Sequence, residues 1–235
     1  MVNIVLIPGR RLQIAAENAG QREQRVNRML RILGRDTSIN VRKVLWAAGE
    51  LGLAYENEVW GLPLRDPKVP EFLALNPNGQ VPVIVDDGFV LWESNAILLY
   101  LSEKHGQGGL WPTDPQVRAL ALQWLGWQAS ELNPPWGYAV RALIRKEAGF
   151  DDPAKVADSV AKWTDKMALL EAHLAKGGSF VAGEQFSFAD IALALSLHRW
   201  FELPYQRQAM PAAEAYYQGL RGRAAGAQWM TARTP

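Results

Sequence analysis

Two short stretches of the 235-residue chain combine residue types that together hold a small anionic peptide. The first, Asn76-Pro77-Asn78-Gly79-Gln80-Val81-Pro82-Val83-Ile84, is a turn that feeds an apolar strand through a proline. An X-Pro bond has only a small trans preference, so a turn at this place can set Val81-Pro82 cis. A cis bond there turns the Val81 N–H and C=O outward, where an extended ligand pairs with them as an added strand. The second stretch, Glu93-Ser94, opens the run Asn95-Ala96-Ile97-Leu98-Leu99-Tyr100-Leu101. The first N–H groups of a helix lack intrahelical acceptors and carry partial positive charge, which suits a carboxylate. Asp87-Gly88 reads as a two-residue hairpin turn between Val83-Ile84-Val85 and Phe89-Val90-Leu91, and it delivers the chain from the first stretch to the second.

The elements around these stretches follow from pattern. From Met29 the order is a strand (30–33), a helix (41–51), a strand (55–60), a proline-broken segment, the hairpin and a helix over 95–104. That is a βαβ unit followed by ββα, a thioredoxin-like α/β plan. Gly106-Gln107-Gly108-Gly109 and the prolines up to Pro115 mark a linker at 106–112. Beyond it no strand pattern recurs, and helices are expected over 115–133, 135–148, 153–176, 187–203 and 212–222. Val156, Val160, Trp163, Met167, Leu170 and Leu174 alternate in steps of four and three, one continuous helical stripe. Ser187-Phe188-Ala189-Asp190 is a capping box opening a helix that is apolar nearly all round.

Composition narrows the function classes. The chain has no cysteine, which removes a disulfide framework, a thiolate metal site and protein thiol exchange. His105, His173 and His198 are scattered without ligand spacing, so no metal is expected. A net charge of +1 gives no footprint for nucleic acid, and no run approaches the roughly 20 apolar residues of a membrane span. Residues 1–28 differ from the rest, with five arginines against two glutamates, and are expected to form an extension outside the fold.

The Gln80-Val81-Pro82 turn and the Glu93-Ser94 helix start together resemble the glutathione site of the cytosolic glutathione S-transferase family, a likeness that spans residues 29–225. The resemblance implies a thioredoxin-like domain at 29–105, an all-helical domain at 113–225 and a tail at 226–235. It implies glutathione as cosubstrate, a small electrophile as the second substrate, a cytoplasmic homodimer and a role in detoxification. In such a site Val81 pairs through its backbone with the cysteinyl unit, and Gln80 reaches the glycyl carboxylate, with Lys68 as a further candidate there. Ser94 takes the γ-glutamyl carboxylate and Glu93 lies near the glutamyl ammonium.

The family's thiol donor follows the first strand and is a tyrosine, serine or cysteine according to class. Here that segment, Gly34 to Lys43, has neither tyrosine nor cysteine; Ser38 is the leading donor with Asn40 as its helper, and Thr37 is the alternative donor. Thr37, Ser38 and Asn40 are also all good N-cap residues, so capping alone is the competing account. Trp124, Trp127, Trp136 and Tyr138 supply aromatic surface for an electrophile pocket expected between the domains, with Trp127, Trp136 and Tyr138 as its candidates. The resemblance leaves two other activities open: a glutathione-dependent disulfide or peroxide reductase using Ser38 and Asn40, and a non-catalytic interaction module that keeps the fold as a scaffold.

Overall fold

The computed structural model describes residues 3–5 and 29–231. The chain divides into two compact units, Met1–His105 and Gly106–Pro235.

The first unit is built on a five-stranded mixed sheet in the order β1-β3-β2-β4-β5. Its strands are β1 (Asn3–Val5), β2 (Leu30–Leu33), β3 (Tyr55–Glu58), β4 (Val83–Asp86) and β5 (Phe89–Trp92), with helices α1 (Ile39–Glu50), α2 (Pro70–Leu73) and α3 (Ser94–His105). β2 and β3 run parallel, joined through α1, and the other pairs are antiparallel. Val41, Val44, Leu45 and Ala48 of α1 recur at helical spacing on one face and are completely or almost completely buried, as are Ile32, Leu33, Val83 and Ile84 of the sheet. Ile97, Leu98 and Leu101 of α3 join them with no exposure. Asp87 (φ 50°) and Gly88 (φ 85°) both take the left-handed conformation that a tight hairpin requires, as the Asp-Gly pair predicts.

Three expectations change here. β3 ends at Glu58 rather than Trp60, because the chain turns at Gly61, whose φ of 111° suits glycine. The proline-broken segment contains the short α2, started by Pro70 at its first position, and it buries Phe72 against Trp60 with ring centroids 4.8 Å apart. The extension 1–28 is not wholly outside the fold: Asn3, Ile4 and Val5 pair with Asn57, Glu56 and Tyr55 and so cover the outer edge of β3. Residues 6–28 lie outside the described residues.

The second unit is helical: α4 (Pro115–Trp127), α5 (Gly137–Ala139), α6 (Pro153–Leu174), α7 (Phe188–Glu202) and α8 (Pro211–Arg221). The separate helices expected at 115–133 and 135–148 are instead one irregular run that ends at Ile144. Pro134 and Pro135 have no N–H to give, so the regular ladder cannot continue through them. The run uses wider turns on either side, in which the Asn133 N–H reaches the Gln128 C=O and the Arg145 N–H reaches the Val140 C=O, both at 3.0 Å. In α6 the stripe buries Val160, Trp163, Met167 and Leu170. Trp163 meets Trp136 edge-on at 5.3 Å and Trp200 at 4.8 Å, tying α6 to α7.

Ser187 and Asp190 form the expected capping box of α7. The Asp190 carboxylate accepts from the Ser187 N–H (2.8 Å), the Ser187 hydroxyl (2.9 Å), the Val181 N–H (2.9 Å) and the Tyr216 hydroxyl (2.5 Å). Burial pushes the Asp190 carboxyl up against these four donors, and burial with the adjacent carboxylate raises Tyr216 well above its ordinary value. The expected tail at 226–235 is shortened, since Trp229 and Met230 are buried and the Thr231 C=O lies 3.0 Å from His198 Nε2.

One cluster ties the hairpin to α3. Asp86 Oδ2 accepts from Lys104 Nζ and from the Tyr100 hydroxyl, each at 2.7 Å. Burial alone raises the Asp86 carboxyl, but the two donors outweigh it and hold Asp86 below the ordinary carboxylate value. A carboxyl depressed in the folded state stabilises the fold above its unfolded pKa of about 3.9, and that contribution is lost as pH falls through the lower folded value. Asp86→Asn is therefore expected to cost about 1 kcal/mol at neutral pH, and denaturant melts of variant and wild type should converge in acid. A gap that stays constant down to acid pH would contradict this role for Asp86.

Candidate functional site

The loop before β4 is shaped from inside by Asn76, which is 3% exposed. Its Nδ2 donates to the Gln80 C=O at 2.7 Å, and its Oδ1 accepts from the Asn78 N–H and Nδ2, both at 3.0 Å. Gly79 sits at φ +58°, and a Cβ on it would fall 2.7 Å from Lys68 Cδ and 2.9 Å from the Pro67 C=O, so only glycine fits. Lys68 Nζ donates to the Asn78 C=O at 2.8 Å, which fixes the lysine beside Gln80. The Val81-Pro82 bond is cis, as the sequence suggests, and a second cis bond at Leu62-Pro63 was not foreseen. Among the described residues no group pairs with the Val81 N–H or C=O. Gln80 is exposed and Pro82 is buried.

The turn after β2 lies against this loop. A Cβ on Gly34 would meet Val41 Cγ2 at 2.4 Å and Val81 Cβ at 3.3 Å, so the glycine lets α1 and the Val81 segment close on each other. Ser38 is the N-cap residue of α1 by backbone: φ is −74°, ψ is 123°, and its C=O accepts from the Arg42 N–H at 2.9 Å. Its hydroxyl makes no capping bond. Capping therefore does not account for the Ser38 side chain, which is half-buried at the start of α1 with Asn40 two positions on. The Thr37 hydroxyl is sealed from solvent and has no partner among the described residues.

At the start of α3, Glu93 takes a left-handed φ of 77°, unusual for a residue with a side chain. The conformation lets its Oε2 accept from the Asn95 and Ala96 N–H groups, each at 2.9 Å. Glu93 is thus the helix cap, and the residue is exposed. Ser94 follows, 4% exposed, and no acceptor for its N–H is found among the described residues. Beneath it lies a residue that sequence reasoning missed: Lys43 of α1, 2% exposed, whose Nζ is 2.9 Å from Asn95 Oδ1 and 3.5 Å from Ser94 Oγ. The available signal was a pair of charged residues, Arg42 and Lys43, inside the otherwise apolar run Val41 to Ala48. An ammonium in that position adds to the positive end of α3.

In the helical unit the three aromatic candidates separate. Trp127 packs edge-on against Trp124 at 5.1 Å, a core contact. Trp136 and Tyr138 line a cavity of about 380 Å³ that also takes in Phe150, Arg141, Arg145 and Arg199. Among the described residues no group of three or more histidine, aspartate or glutamate side chains is placed to hold a metal, and no helix is long and apolar enough to cross a membrane.

Two family models match the chain: "Glutathione S-transferase, N-terminal domain" over residues 37–104 and "Glutathione S-transferase, C-terminal domain" over residues 153–219. Glutathione S-transferase GstB of Escherichia coli strain K12 is 36% identical over 199 residues, 84% of this chain and 95% of its own. Glutathione S-transferase D7 of Drosophila melanogaster is 35% identical over 164 residues, covering 68% of this chain and 70% of its own. A crystal structure of a theta class glutathione S-transferase from Xanthomonas axonopodis pv. citri, with glutathione bound, superposes with a TM-score of 0.83 at 34% identity, covering 88% of this chain and 99% of that one.

Asn76 makes its own test of the loop. Asn76→Ala leaves the Gln80 C=O and the Asn78 N–H without their partner, which should cost about 1–3 kcal/mol of stability. Because those bonds set the loop that presents Val81, backbone amide exchange in residues 77–81 should accelerate in the variant even where the global fold is intact. Unchanged exchange there would show that the loop keeps its shape without Asn76.

Proposed function

The chain belongs to the glutathione S-transferase family, and on that premise we propose that the first unit holds glutathione across the Gln80–Pro82 loop and the start of α3, with Ser38 stabilising the thiolate. The observation that carries this reading is the Val81 backbone, which offers an N–H and a C=O with no partner among the described residues beside a loop locked by Asn76. An extended cysteinyl unit pairs with such a segment as a strand would. The γ-glutamyl carboxylate falls to Ser94, where the N–H at the helix start, unpaired among the described residues, favours negative charge and Lys43 Nζ lies 3.5 Å from the Ser94 hydroxyl. The Glu93 carboxylate answers the glutamyl ammonium, and Gln80 with Lys68 serves the glycyl carboxylate.

The nucleophile is the glutathione thiolate, and a thiol with a pKa of about 8.5 is mostly protonated at neutral pH. Lowering it by about two units takes roughly 3 kcal/mol of interaction that favours the anion over the thiol. A hydroxyl at a helix start can donate a charge-assisted hydrogen bond to sulfur, and the Ser38 hydroxyl is not used in capping. Asn40 adds an amide at the same helix start. The thiolate then attacks a small electrophile. A cytoplasmic, detoxifying role belongs to the same reading.

Two substitutions separate binding from activation. Ser94→Ala should weaken glutathione by about 1–2 kcal/mol in calorimetry and leave the thiolate absorbance titration in place. Ser38→Ala should do the reverse, raising the apparent pKa of the bound thiol while Kd changes by less than about tenfold. If Ser94→Ala binds like wild type, or Ser38→Ala keeps the wild-type titration, the corresponding role is wrong.

We also propose a homodimer. Leu62 (63% exposed), Leu64 (66%), Phe89 and Trp92 of the first unit and Leu120 and Leu122 of α4 leave large apolar side chains uncovered. Sedimentation at micromolar concentration should give twice the chain mass of 26.2 kDa. A clean monomer would end that proposal.

A further inference from the structure

The start of α3 has few hydrogen-bond donors left for a ligand, because Glu93 already takes the Asn95 and Ala96 N–H groups, each at 2.9 Å. What remains is the Ser94 N–H, the Ser94 hydroxyl and the Asn95 side-chain amide. A serine hydroxyl both donates and accepts, and an amide carries one group of each kind, so neither by itself prefers an anion to a neutral ligand. Lys43 removes that ambiguity. Its Nζ is 2.9 Å from Asn95 Oδ1 and 3.5 Å from Ser94 Oγ. A lysine ammonium has three donors and no acceptor, so it faces the oxygen of both groups. The Ser94 hydroxyl hydrogen and the Asn95 NH2 then point elsewhere, and neither has an acceptor among the described residues. This orientation holds whichever group takes the remaining lysine hydrogen. Lys43 is 2% exposed and Ser94 4%, so water has little access to reverse it.

A set of donors without an acceptor has a definite preference. A carboxylate offers acceptors alone and matches it, whereas a carboxamide brings an NH2 that opposes the Ser94 hydrogen. Without the lysine the hydroxyl turns freely, and it accepts from a carboxamide as readily as it donates to a carboxylate. We propose that Lys43 is a positioning residue that makes the start of α3 specific for a carboxylate, by holding the Ser94 hydroxyl as a donor. Within the glutathione reading, on which this rests, that carboxylate is the α-carboxylate of the γ-glutamyl unit. Lys43 is then the residue through which the site tells this carboxylate from its amide. A lysine that only bridged α1 to α3 would support both ligands alike.

The test compares glutathione with the analogue whose γ-glutamyl α-carboxylate is a carboxamide, by calorimetry on the full chain. Wild type is expected to bind glutathione about tenfold or more tighter than the amide. Lys43→Met keeps the reach of the side chain and removes its donors. It should weaken glutathione about tenfold and change the amide by less than about threefold, with the melting temperature reporting the fold. Ser94→Ala removes the group through which Lys43 acts, and in that background Lys43→Met should cost glutathione less than about threefold. The thiolate titration of saturating bound glutathione should stay in place in Lys43→Met, since the sulfur is served from the start of α1. If Lys43→Met does not fold, Lys43→Gln takes its place with the same selective loss expected, because an uncharged amide can turn either its oxygen or its NH2 toward Ser94. Equal binding of the two ligands by wild type would overturn the proposal without any variant. Equal losses for both ligands in the Lys43 variant, or a loss that persists in full without the Ser94 hydroxyl, would overturn it as well. Binding of neither ligand by wild type would instead refute the glutathione reading itself.

Discussion

A folded chain normally pairs its buried and half-buried backbone polar groups, and the first unit depends on withholding a few of them from that rule. The Val81 N–H and C=O and the Ser94 N–H find no partner among the described residues, and much of the neighbouring chemistry keeps them so. Asn76 satisfies the loop from within, which frees the loop from needing the sheet. Glu93 bends into a left-handed conformation so that its carboxylate takes the Asn95 and Ala96 N–H groups, leaving the Ser94 N–H as the donor at the helix end. A positive φ on a residue with a side chain costs free energy, and two charge-assisted hydrogen bonds offset it.

Charge is arranged around the same helix with its two ends in mind. Lys43 adds a cation beside the positive end of α3, which favours an anion arriving from outside. Near the other end, Lys104 and Tyr100 hold Asp86 below its ordinary pKa, so that an ionised carboxylate anchors the hairpin to the last turns of the helix. Asp86 thus sits near the far end of α3, while the carboxylate at its start is that of Glu93, the helix cap.

How much of this was legible follows the range of the interactions. The Asp-Gly turn, the α6 stripe, the Ser187-Asp190 box and the proline after Val81 are local patterns, and each is found where the sequence places it. Pairings across long separations left little trace. Lys43 and Asn95 lie 52 positions apart, and nothing in either neighbourhood names the other. The pairing of Asn3–Val5 with β3 is equally distant, and three residues are too short a run for a strand pattern to emerge. The irregular run from Pro134 to Ile144 failed for a different reason. The double proline signalled a break between two helices, whereas wider turns carried the helical path through it.

That run also decides where the aromatic cavity can lie. Tyr138, Arg141 and Arg145 are spaced i, i+3 and i+7, which puts them on one face of a helical path. Trp136, in the short turn that restarts the run at Pro134, joins them in lining one space. Trp136 is held there because its other side packs edge-on against Trp163, the centre of the α6 stripe. Trp163 in turn meets Trp200, the neighbour of Arg199 on α7. The ring wall and the buried cation of the cavity are therefore positioned by the same tryptophan contacts that hold α6 to α7. A change in that core would move both, which makes the shape of the cavity a property of the helical packing rather than of a loop.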